Sequence, residues 1–401
     1  MNLKNLDLRE AIALVRTGAP VTGVERVPLA AAFGRVTAQP VEATRDQPPF
    51  AASAMDGYAV RRADMSESAV LTVTGESAAG RRFAGTLGPG QAVRIFTGAP
   101  VPDGADAIVI QENTIVRDGR VELTAIGGPA HIRPAGQDFK AGDRLLEAGT
   151  RLDAWRLSLA AAAGLAEITV HAKPRVAVLC TGDELAPPAV TPGPDQIYES
   201  ASAAIMALVI QWGGEATFVG TEADDLEALY TTLKGIEADL IVTIGGASIG
   251  DHDLVKPALQ RLGLAADFVS LNLRPGKPTS FGILDSGAHV LGVPGNPASA
   301  FVVAQLLLKP WIESALGLPA ADPFVRAVTA ADIPANGPRE SYLRGALDVT
   351  EDGRLRVTPF SDQDSSLISV FARAGALVRI PSNAAALPAG GMIDILRLER
   401  L

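Results

Sequence analysis

The chain has 401 residues, of which 47% are apolar and only 5% aromatic, and its formal net charge is −10. This length predicts two to four domains, and the composition predicts cores built from aliphatic side chains. The acidic charge argues against nucleic-acid binding, although a local basic pocket for a small anion is compatible with it.

The sequence also limits the compartment and the redox chemistry. No segment approaches 18 uninterrupted apolar residues and the N-terminus lacks a signal-peptide core, so we expect a cytoplasmic protein that does not enter a membrane. The single cysteine, Cys180, cannot form an internal disulfide, and its apolar neighbours favour a core position over a nucleophile. The four histidines do not have the spacing of zinc ligands.

The first part of the chain predicts one helix followed by short strands. Asp7 and Glu10 have the spacing of a capping box in front of a helical apolar face. Residues 25–150 contain short strand candidates separated by Gly, Pro and Asp. Two loops in this region, 48–58 and 133–138, are rich in turn-forming residues, which also suits ordinary surface turns.

From Lys173 onward, apolar strands alternate with helical patterns, which predicts βαβ units and a doubly wound, mainly parallel sheet. After Gly317 the pattern becomes β-rich again. The strands predicted for the central region are 175–179, 216–219, 240–244, 268–271 and 290–293, and its predicted helices are 200–212, 226–236, 254–262 and 298–316.

The stretch ADLIVTIGGASIGDHD, residues 238–253, stands out within this region. A buried strand ends at Gly245 and Gly246, and the loop continues to two carboxylates. Glycines let backbone amides approach an anion closely. The spacing matches neither the Walker A loop nor the dinucleotide fingerprint, and on its own it also suits a tight strand-to-helix turn.

Three further loops have comparable composition: TGDEL at 181–185, RPGKP at 274–278 and PGNP at 294–297. Ligands of doubly wound sheets bind beyond the carboxyl ends of the strands, so we expect these loops to converge there. Backbone amides, including those of the helix that follows Pro297, would bind an oxyanion together with Arg274 and Lys277. The carboxylates would suit Mg²⁺, although alone they also fit a solvated rim. A Ser-His-Asp site is not supported, since no G-x-S-x-G occurs.

Seven motifs in the same order make the sequence resemble the molybdopterin molybdenumtransferase family, which includes MoeA and the E domain of gephyrin. They are SAMDGYA (53–59), FTGAPVP (96–102), RPAGQDFKAGD (133–143), TGDEL, GGASIGDHD, RPGKP and PGNPAS. The resemblance covers essentially the whole chain.

The resemblance implies an enzyme that inserts molybdenum from molybdate into adenylylated molybdopterin and releases AMP with the help of Mg²⁺. It implies a central α/β domain flanked by β-rich N-terminal domains and a C-terminal β-barrel-like domain. The implied domain bounds are 1–45 with 140–172, 46–139, 173–318 and 319–401. It further implies a homodimer whose active site is shared between subunits, with a molybdopterin adenylyltransferase and apo-molybdoenzymes as partners.

By motif position, the resemblance implies roles for individual residues. Asp56, Thr97 and Asp138 would be catalytic residues contributed by the neighbouring subunit, and Glu184, Asp224 and Asp253 would be catalytic residues of the α/β domain. Glu184, Asp251 and Asp253 would hold the metal. The substrate would be bound by Gly245, Gly246, Ser248, Gly250, Arg274, Lys277, Pro294, Asn296, Pro297, Arg344 and Ser365.

Two alternatives come from different classes. The α/β part alone also resembles molybdopterin adenylyltransferases, which would use unadenylylated pterin and ATP. A non-catalytic scaffold of the gephyrin type is the other alternative, but the sequence contains neither a second catalytic module nor a disordered interaction tail to support it.

Overall fold

The computed structural model describes residues 3–246 and 254–399. It divides into two compact units, which we call the N-terminal β unit (26–33 and 39–169) and the α/β–barrel unit (3–25, 34–38 and from 170 onward). Among the described residues, no helix has the length and apolarity needed to cross a membrane.

The chain begins with helix α1, Leu8–Gly18, which belongs to the α/β–barrel unit. The side chain of Asp7 accepts a hydrogen bond from the Arg9 amide at 2.8 Å and caps the helix, as the sequence predicts. Leu8, Ala11 and Val15 form its buried face.

The N-terminal β unit is built from short strands, as predicted. A six-stranded sheet in the order β7-β4-β6-β5-β9-β8 forms its centre, and two small pairs, β2–β11 and β3–β10, lie beside it. The elements between residues 24 and 171 are β1 Val24–Pro28, β2 Val41–Glu42, β3 Ala52–Ser53, β4 Gly57–Val60, β5 Val70–Ser77, β6 Gln91–Ile95, β7 Ala107–Ile110, β8 Thr114–Arg117, β9 Arg120–Leu123, β10 Ile132–Arg133, β11 Arg144–Leu146, α2 Ala154–Ala162 and β12 Glu167–His171, of which β1 and β12 each belong partly to the α/β–barrel unit.

The central part of the chain forms the predicted mainly parallel sheet, in the order β16-β13-β17-β21-β20-β18. Neighbours from β16 to β21 are parallel, and β20 and β18 add two antiparallel strands. The elements are β13 Arg175–Thr181, β14 Leu185–Ala186, β15 Ile197–Tyr198, α3 Ala201–Gln211, β16 Glu215–Glu222, α4 Leu226–Lys234, β17 Leu240–Ile244, α5 Val255–Arg261, β18 Ala265–Phe268, β19 Leu273–Arg274, β20 Ser280–Ile283, β21 His289–Val293, α6 Pro297–Val303 and α7 Lys309–Ala315, with a π-helical segment, Ala304–Leu308, joining the last two helices.

Strands β17 and β21 are buried at every position, because helices cover both faces of the sheet. From β13 the chain crosses to β16 on one side and then returns to β17 on the other side of β13. The strand order therefore reverses between β13 and β17, which is where open α/β sheets form their ligand crevices.

The C-terminal part is a closed five-stranded barrel, because the strand order β23-β24-β22-β26-β25 is completed by pairing of β25 with β23. The prediction of a barrel-like domain is confirmed, and so is the α/β-plus-β fold class; the four domain bounds stay a prediction. The elements are β22 Phe324–Thr329, β23 Glu340–Val349, β24 Leu355–Pro359, α8 Ile368–Arg373, β25 Ala376–Ile380 and β26 Met392–Arg397.

Candidate active site

A cleft of about 640 Å³ lies at the carboxyl edge of the parallel strands, within the α/β–barrel unit. It collects three of the four loops that the sequence singles out, and the barrel contributes part of its wall. The loop residues that line it are Thr181, Gly182, Glu184, Gly245, Gly246, Gly295, Asn296 and Pro297, together with Asp224 from the turn before α4.

The backbone at Gly245 is possible only for glycine. Its φ angle is +96°, and a Cβ atom there would lie 2.6 Å from the carbonyl oxygen of Thr181. A Cβ on Gly295 would in turn lie 3.5 Å from the Cα of Gly245. The loops after β13, β17 and β21 therefore meet backbone to backbone at the cleft.

Glu184 and Asp224 are two of the three carboxylates that line the cleft in the described part of the chain, and Glu199 is the third. Glu184 folds over Gly182, since a Cβ on that glycine would lie 2.5 Å from Oε2 of Glu184. The second carboxylate belongs to Asp224, whose amide donates a hydrogen bond to Oδ1 of Asp183 at 3.2 Å. The crossover order thus places a carboxylate after β13 and one after β16 in the same cleft.

Carboxylate oxygens are the donors that Mg²⁺ prefers, so Glu184 and Asp224 fit the ion by chemical type. Within residues 3–246 and 254–399, no three His, Cys, Asp or Glu side chains are grouped closely enough to hold a metal. The predicted ligands Asp251 and Asp253 lie outside the described residues, as do Ser248 and Gly250.

The barrel meets the cleft through the loop 362–366. Nδ2 of Asn296 donates to Oγ of Ser365 at 3.0 Å, and the amide of Ala298 donates to the carbonyl oxygen of Ser365 at 3.1 Å. The amide of Ala298, which belongs to the helix start that we expected to bind an anion, is therefore already hydrogen-bonded within the protein. Pro297 occupies the first turn of α6, and the buried Pro294 lies just outside the cleft lining.

Arg344, a predicted substrate ligand, is completely buried under the same loop. One Nη atom donates to the carbonyl oxygen of Asp364 at 2.9 Å, while Nε has no hydrogen-bond partner among the described residues. Burial lowers the pKa of its guanidinium. In this arrangement Arg344 supports the loop that carries Ser365 and does not line the cleft.

Arg274 and Lys277 also lie outside the cleft lining, although the sequence groups them with it. Their turn leads into β20, whose first residue, Ser280, is paired with Gly292 near the end of β21. The turn thus reaches the same edge of the sheet, but two strands away from the junction of β13 and β17. Both side chains are exposed there.

The sequence analysis missed a second layer of cleft residues. Tyr198 is half exposed at the cleft, and the neighbouring Glu199 is a buried carboxylate whose Oε1 accepts the amides of Ala201 and Ser202 at 2.7 and 2.8 Å. An acidic residue just before a helical pattern is a capping signal that could have indicated this contact. Cys180 is buried as predicted, and burial raises the pKa of its thiol.

Two of the residues predicted to act from the neighbouring subunit are in contact within the N-terminal β unit. Oδ1 of Asp56 accepts hydrogen bonds from the amide of Thr97 at 2.7 Å and from its hydroxyl at 3.0 Å. These bonds, the backbone one first, hold the pKa of the Asp56 carboxyl below its usual range, with a further contribution from Arg94.

Asp138 lines a separate open cleft of about 670 Å³ in the same unit. The two turn-rich loops of the sequence meet here, because β10 pairs with β3 and the Asp138 amide donates to the Gln47 carbonyl oxygen at 2.9 Å. Gly98, next to Thr97, is also part of this lining.

Three family models match consecutive parts of the chain. The MoeA N-terminal region (domain I and II) matches residues 6–164, a probable molybdopterin binding domain matches 177–314, and the MoeA C-terminal region (domain IV) matches 326–398. The cleft described above lies mainly in the second of these regions.

Relatives resemble the chain over nearly its whole length. A molybdopterin molybdenumtransferase of Nostoc sp. is 37% identical over 93% of this chain and 88% of its own, and one of Haemophilus influenzae is 33% identical over 93% and 94%. The crystal structure of a molybdopterin biosynthesis MoeA protein from Pyrococcus horikoshii has a TM-score of 0.85 at 29% identity, covering 99% of this chain and all of that one.

The fold and the cleft define a multidomain α/β enzyme of molybdenum cofactor biosynthesis. More narrowly, the chain belongs to the MoeA family of molybdopterin molybdenumtransferases.

Proposed function

We propose that this enzyme inserts molybdenum from molybdate into adenylylated molybdopterin and releases AMP. The observation that carries the proposal is the cleft at the strand-order reversal, where glycine-rich loops and the carboxylates of Glu184 and Asp224 line about 640 Å³. That volume is within the range of pockets that enclose small ligands, roughly 300–1,000 Å³. The substrate is a small molecule with phosphate groups, which suits a glycine-rich cleft wall next to acidic residues.

In this proposal Mg²⁺ is held by Glu184 with Asp251 and Asp253, and Asp224 lies close by as a further catalytic carboxylate. When bound, the ion would neutralise charge on the adenylyl phosphates. We expect Gly245 and Gly246, and with them Ser248 and Gly250, to bind the anionic part of the substrate. Asn296 and Pro297 form the opposite wall.

The proposal gives the three cationic side chains roles outside the cleft lining. Arg274 and Lys277 are exposed at the same sheet edge, where they would attract molybdate and the substrate phosphates. Arg344 affects the cleft indirectly, because its hydrogen bond to the Asp364 carbonyl oxygen supports the loop that carries Ser365.

We also propose that the site is completed by a second copy of the chain in a homodimer. Asp56, Thr97 and Asp138 belong to the N-terminal β unit, whereas Glu184 and Asp224 belong to the α/β–barrel unit. Mixing Asp56→Ala with Glu184→Ala subunits tests this directly. Shared sites predict recovery of up to about a quarter of the wild-type activity on random pairing, whereas independent sites predict none.

The reaction itself is tested by incubating the protein with adenylylated molybdopterin, molybdate and Mg²⁺ and measuring AMP and active cofactor. The proposal predicts AMP release that requires all three. AMP release without formation of active cofactor would contradict it. A parallel reaction with unadenylylated molybdopterin, ATP and Mg²⁺ tests for adenylyl transfer, which this proposal expects to be absent.

We also propose a cellular compartment and two kinds of protein partner for the enzyme. We expect it to act in the cytoplasm, to receive its substrate from a molybdopterin adenylyltransferase and to deliver the product to apo-molybdoenzymes. Co-purification from cell extract, with the Glu184→Ala variant as bait to prolong substrate occupancy, would test the two protein partners.

A further inference from the structure

A second cavity of the α/β–barrel unit, about 950 Å³, is separate from the cleft. It lies between α1, the helical stretch 305–313 and the barrel, and shares no lining residue with the cleft. Its apolar wall is formed by Ile12, Leu306, Phe324, Leu347, Leu396 and Leu398.

The polar lining of this cavity has an excess of positive charge. Arg16 lies 3.6 Å from Glu313 and Lys309 lies 2.9 Å from Glu399, so these two cations are paired. Arg373 and Arg397 also line the cavity, and neither has a carboxylate partner among the residues that the structure describes. Arg373 instead donates from Nε to the Ser369 carbonyl oxygen at 3.3 Å and lies over the Phe360 ring. An anion entering here would therefore meet two arginines whose charges are not neutralised by ion pairs.

The side chain of Gln305 also lines the cavity. Gln305 is only 9% exposed, and its side chain has no hydrogen bond within the described parts of the chain. It lies in the π-helical segment Ala304–Leu308, in the middle of an otherwise α-helical stretch. Segments of this kind are frequent at functional sites. The Gln305 amide is therefore available to donate to or accept from a bound molecule.

We propose that this cavity is a second binding site, for a small amphipathic anion with an apolar body and one carboxylate or sulfonate group. The apolar wall would enclose the body, Arg397 and Arg373 would bind the charged group, and Gln305 would bond to a polar atom of the ligand. This inference is independent of the chemistry proposed for the cleft, and either can fail alone.

The helix that carries Gln305 also connects the two sites. It begins at Pro297 in the cleft and continues through Gln305 and Lys309 in the cavity, and the barrel likewise lines both. A ligand held between helix and barrel is therefore placed to affect the contact between Asn296 and Ser365.

Anilinonaphthalene sulfonate, which has an apolar body and one sulfonate, is a suitable probe. Equilibrium dialysis with the full-length protein is expected to give one saturable site per chain. Arg397→Glu should weaken binding at least about tenfold, equivalent to about 1.4 kcal/mol, and Ala321→Trp should prevent it by filling the cavity. Both positions are exposed, so thermal unfolding should begin at the wild-type temperature.

The matched control is Arg117→Glu, which makes the same charge change on the exposed hairpin of the N-terminal β unit and should leave binding unchanged. The proposal is overturned if the wild-type protein has no saturable site. It is equally overturned if Arg397→Glu and Ala321→Trp bind the probe as tightly as the control.

Discussion

The side-chain amide of Asn296 donates to the hydroxyl of Ser365 at 3.0 Å, and this bond joins the start of α6 to the barrel loop beside the cleft. Asn296 precedes the helix but its side chain makes no capping bond within it. The Asn296 side chain therefore joins the α/β domain to the barrel and does not cap α6.

Asn296→Ala should accordingly affect the reaction more than the fold. Loss of one hydrogen bond, worth about 0.5–1.5 kcal/mol, is expected to reduce kcat/KM for AMP release by about 3- to 10-fold, with little change in thermal unfolding. Ser365→Ala should have an effect of similar size, and the double variant should be no worse than either single one. Additive effects in the double variant would mean that the two side chains act separately.

Gly245→Ala should damage both stability and activity. A Cβ at this φ of +96° would lie 2.6 Å from the Thr181 carbonyl oxygen, so the loops after β13 and β17 would have to separate. Gly287→Ala is the matched control, because Gly287 also has a positive φ, +87°, but open space around its Cβ position. We expect the control to lose about 1–2 kcal/mol and Gly245→Ala to lose clearly more, as measured by urea unfolding.

His289 should make the stability of the α/β–barrel unit depend on pH. Burial lowers the pKa of its imidazole below the ordinary 6.5, and Nδ1 has no hydrogen-bond partner among the described residues. Between the pKa of His289 in the folded protein and the ordinary value of 6.5, His289 is protonated in the unfolded chain but neutral in the folded one. The contribution of His289 is therefore complete above that range and is lost as the pH falls through the folded pKa.

Replacing His289 with Phe should flatten this dependence, since the ring already stacks on Phe281 with centroids 5.4 Å apart. His131→Asn is a suitable control, because Asn tolerates the positive φ of 52° at that position. Thermal unfolding between pH 5 and 8 measures the effect. If the pH dependence of thermal unfolding persists in His289→Phe and disappears in His131→Asn, the prediction for His289 is wrong.

Arg344→Met should loosen the barrel loop without removing the bulk of the buried side chain. The variant loses the bond to the Asp364 carbonyl oxygen, so amide hydrogen exchange of residues 360–367 should accelerate while the rest of the barrel is unaffected. Arg356→Met, which breaks an exposed ion pair with Asp348 on the same barrel, serves as the comparison. Equal exchange of the loop in both variants would show that Arg344 does not support it.

The sequence predicted the architecture well where the pattern depends on local physics. Continuous apolar runs such as Leu240–Ile244 indicated strands buried on both faces, and their alternation with helices indicated the parallel sheet. The closure of the C-terminal strands into a barrel depends on the pairing of β25 with β23, which periodicity alone does not reveal; that expectation came from the family resemblance.

Part of the candidate site could also be predicted from the sequence. Loops after β13, β17 and β21 converge because parallel strands end at one edge, which the motifs already implied. The burial of Arg344 and the position of Lys277 outside the cleft depend on long-range packing, so local sequence does not indicate them. Tyr198 and Glu199 were missed because Tyr198 ends a two-residue strand without an apolar pattern and Glu199 follows it directly.

We infer that the chemistry takes place in the cleft where the strand order reverses, with Glu184 as an essential carboxylate. The most direct measurement is single-turnover AMP release from adenylylated molybdopterin by Glu184→Gln, compared with Glu215→Gln at the opposite end of the sheet. We predict a loss of at least about 100-fold for Glu184→Gln and none for Glu215→Gln. Release at the wild-type rate by Glu184→Gln would contradict the account.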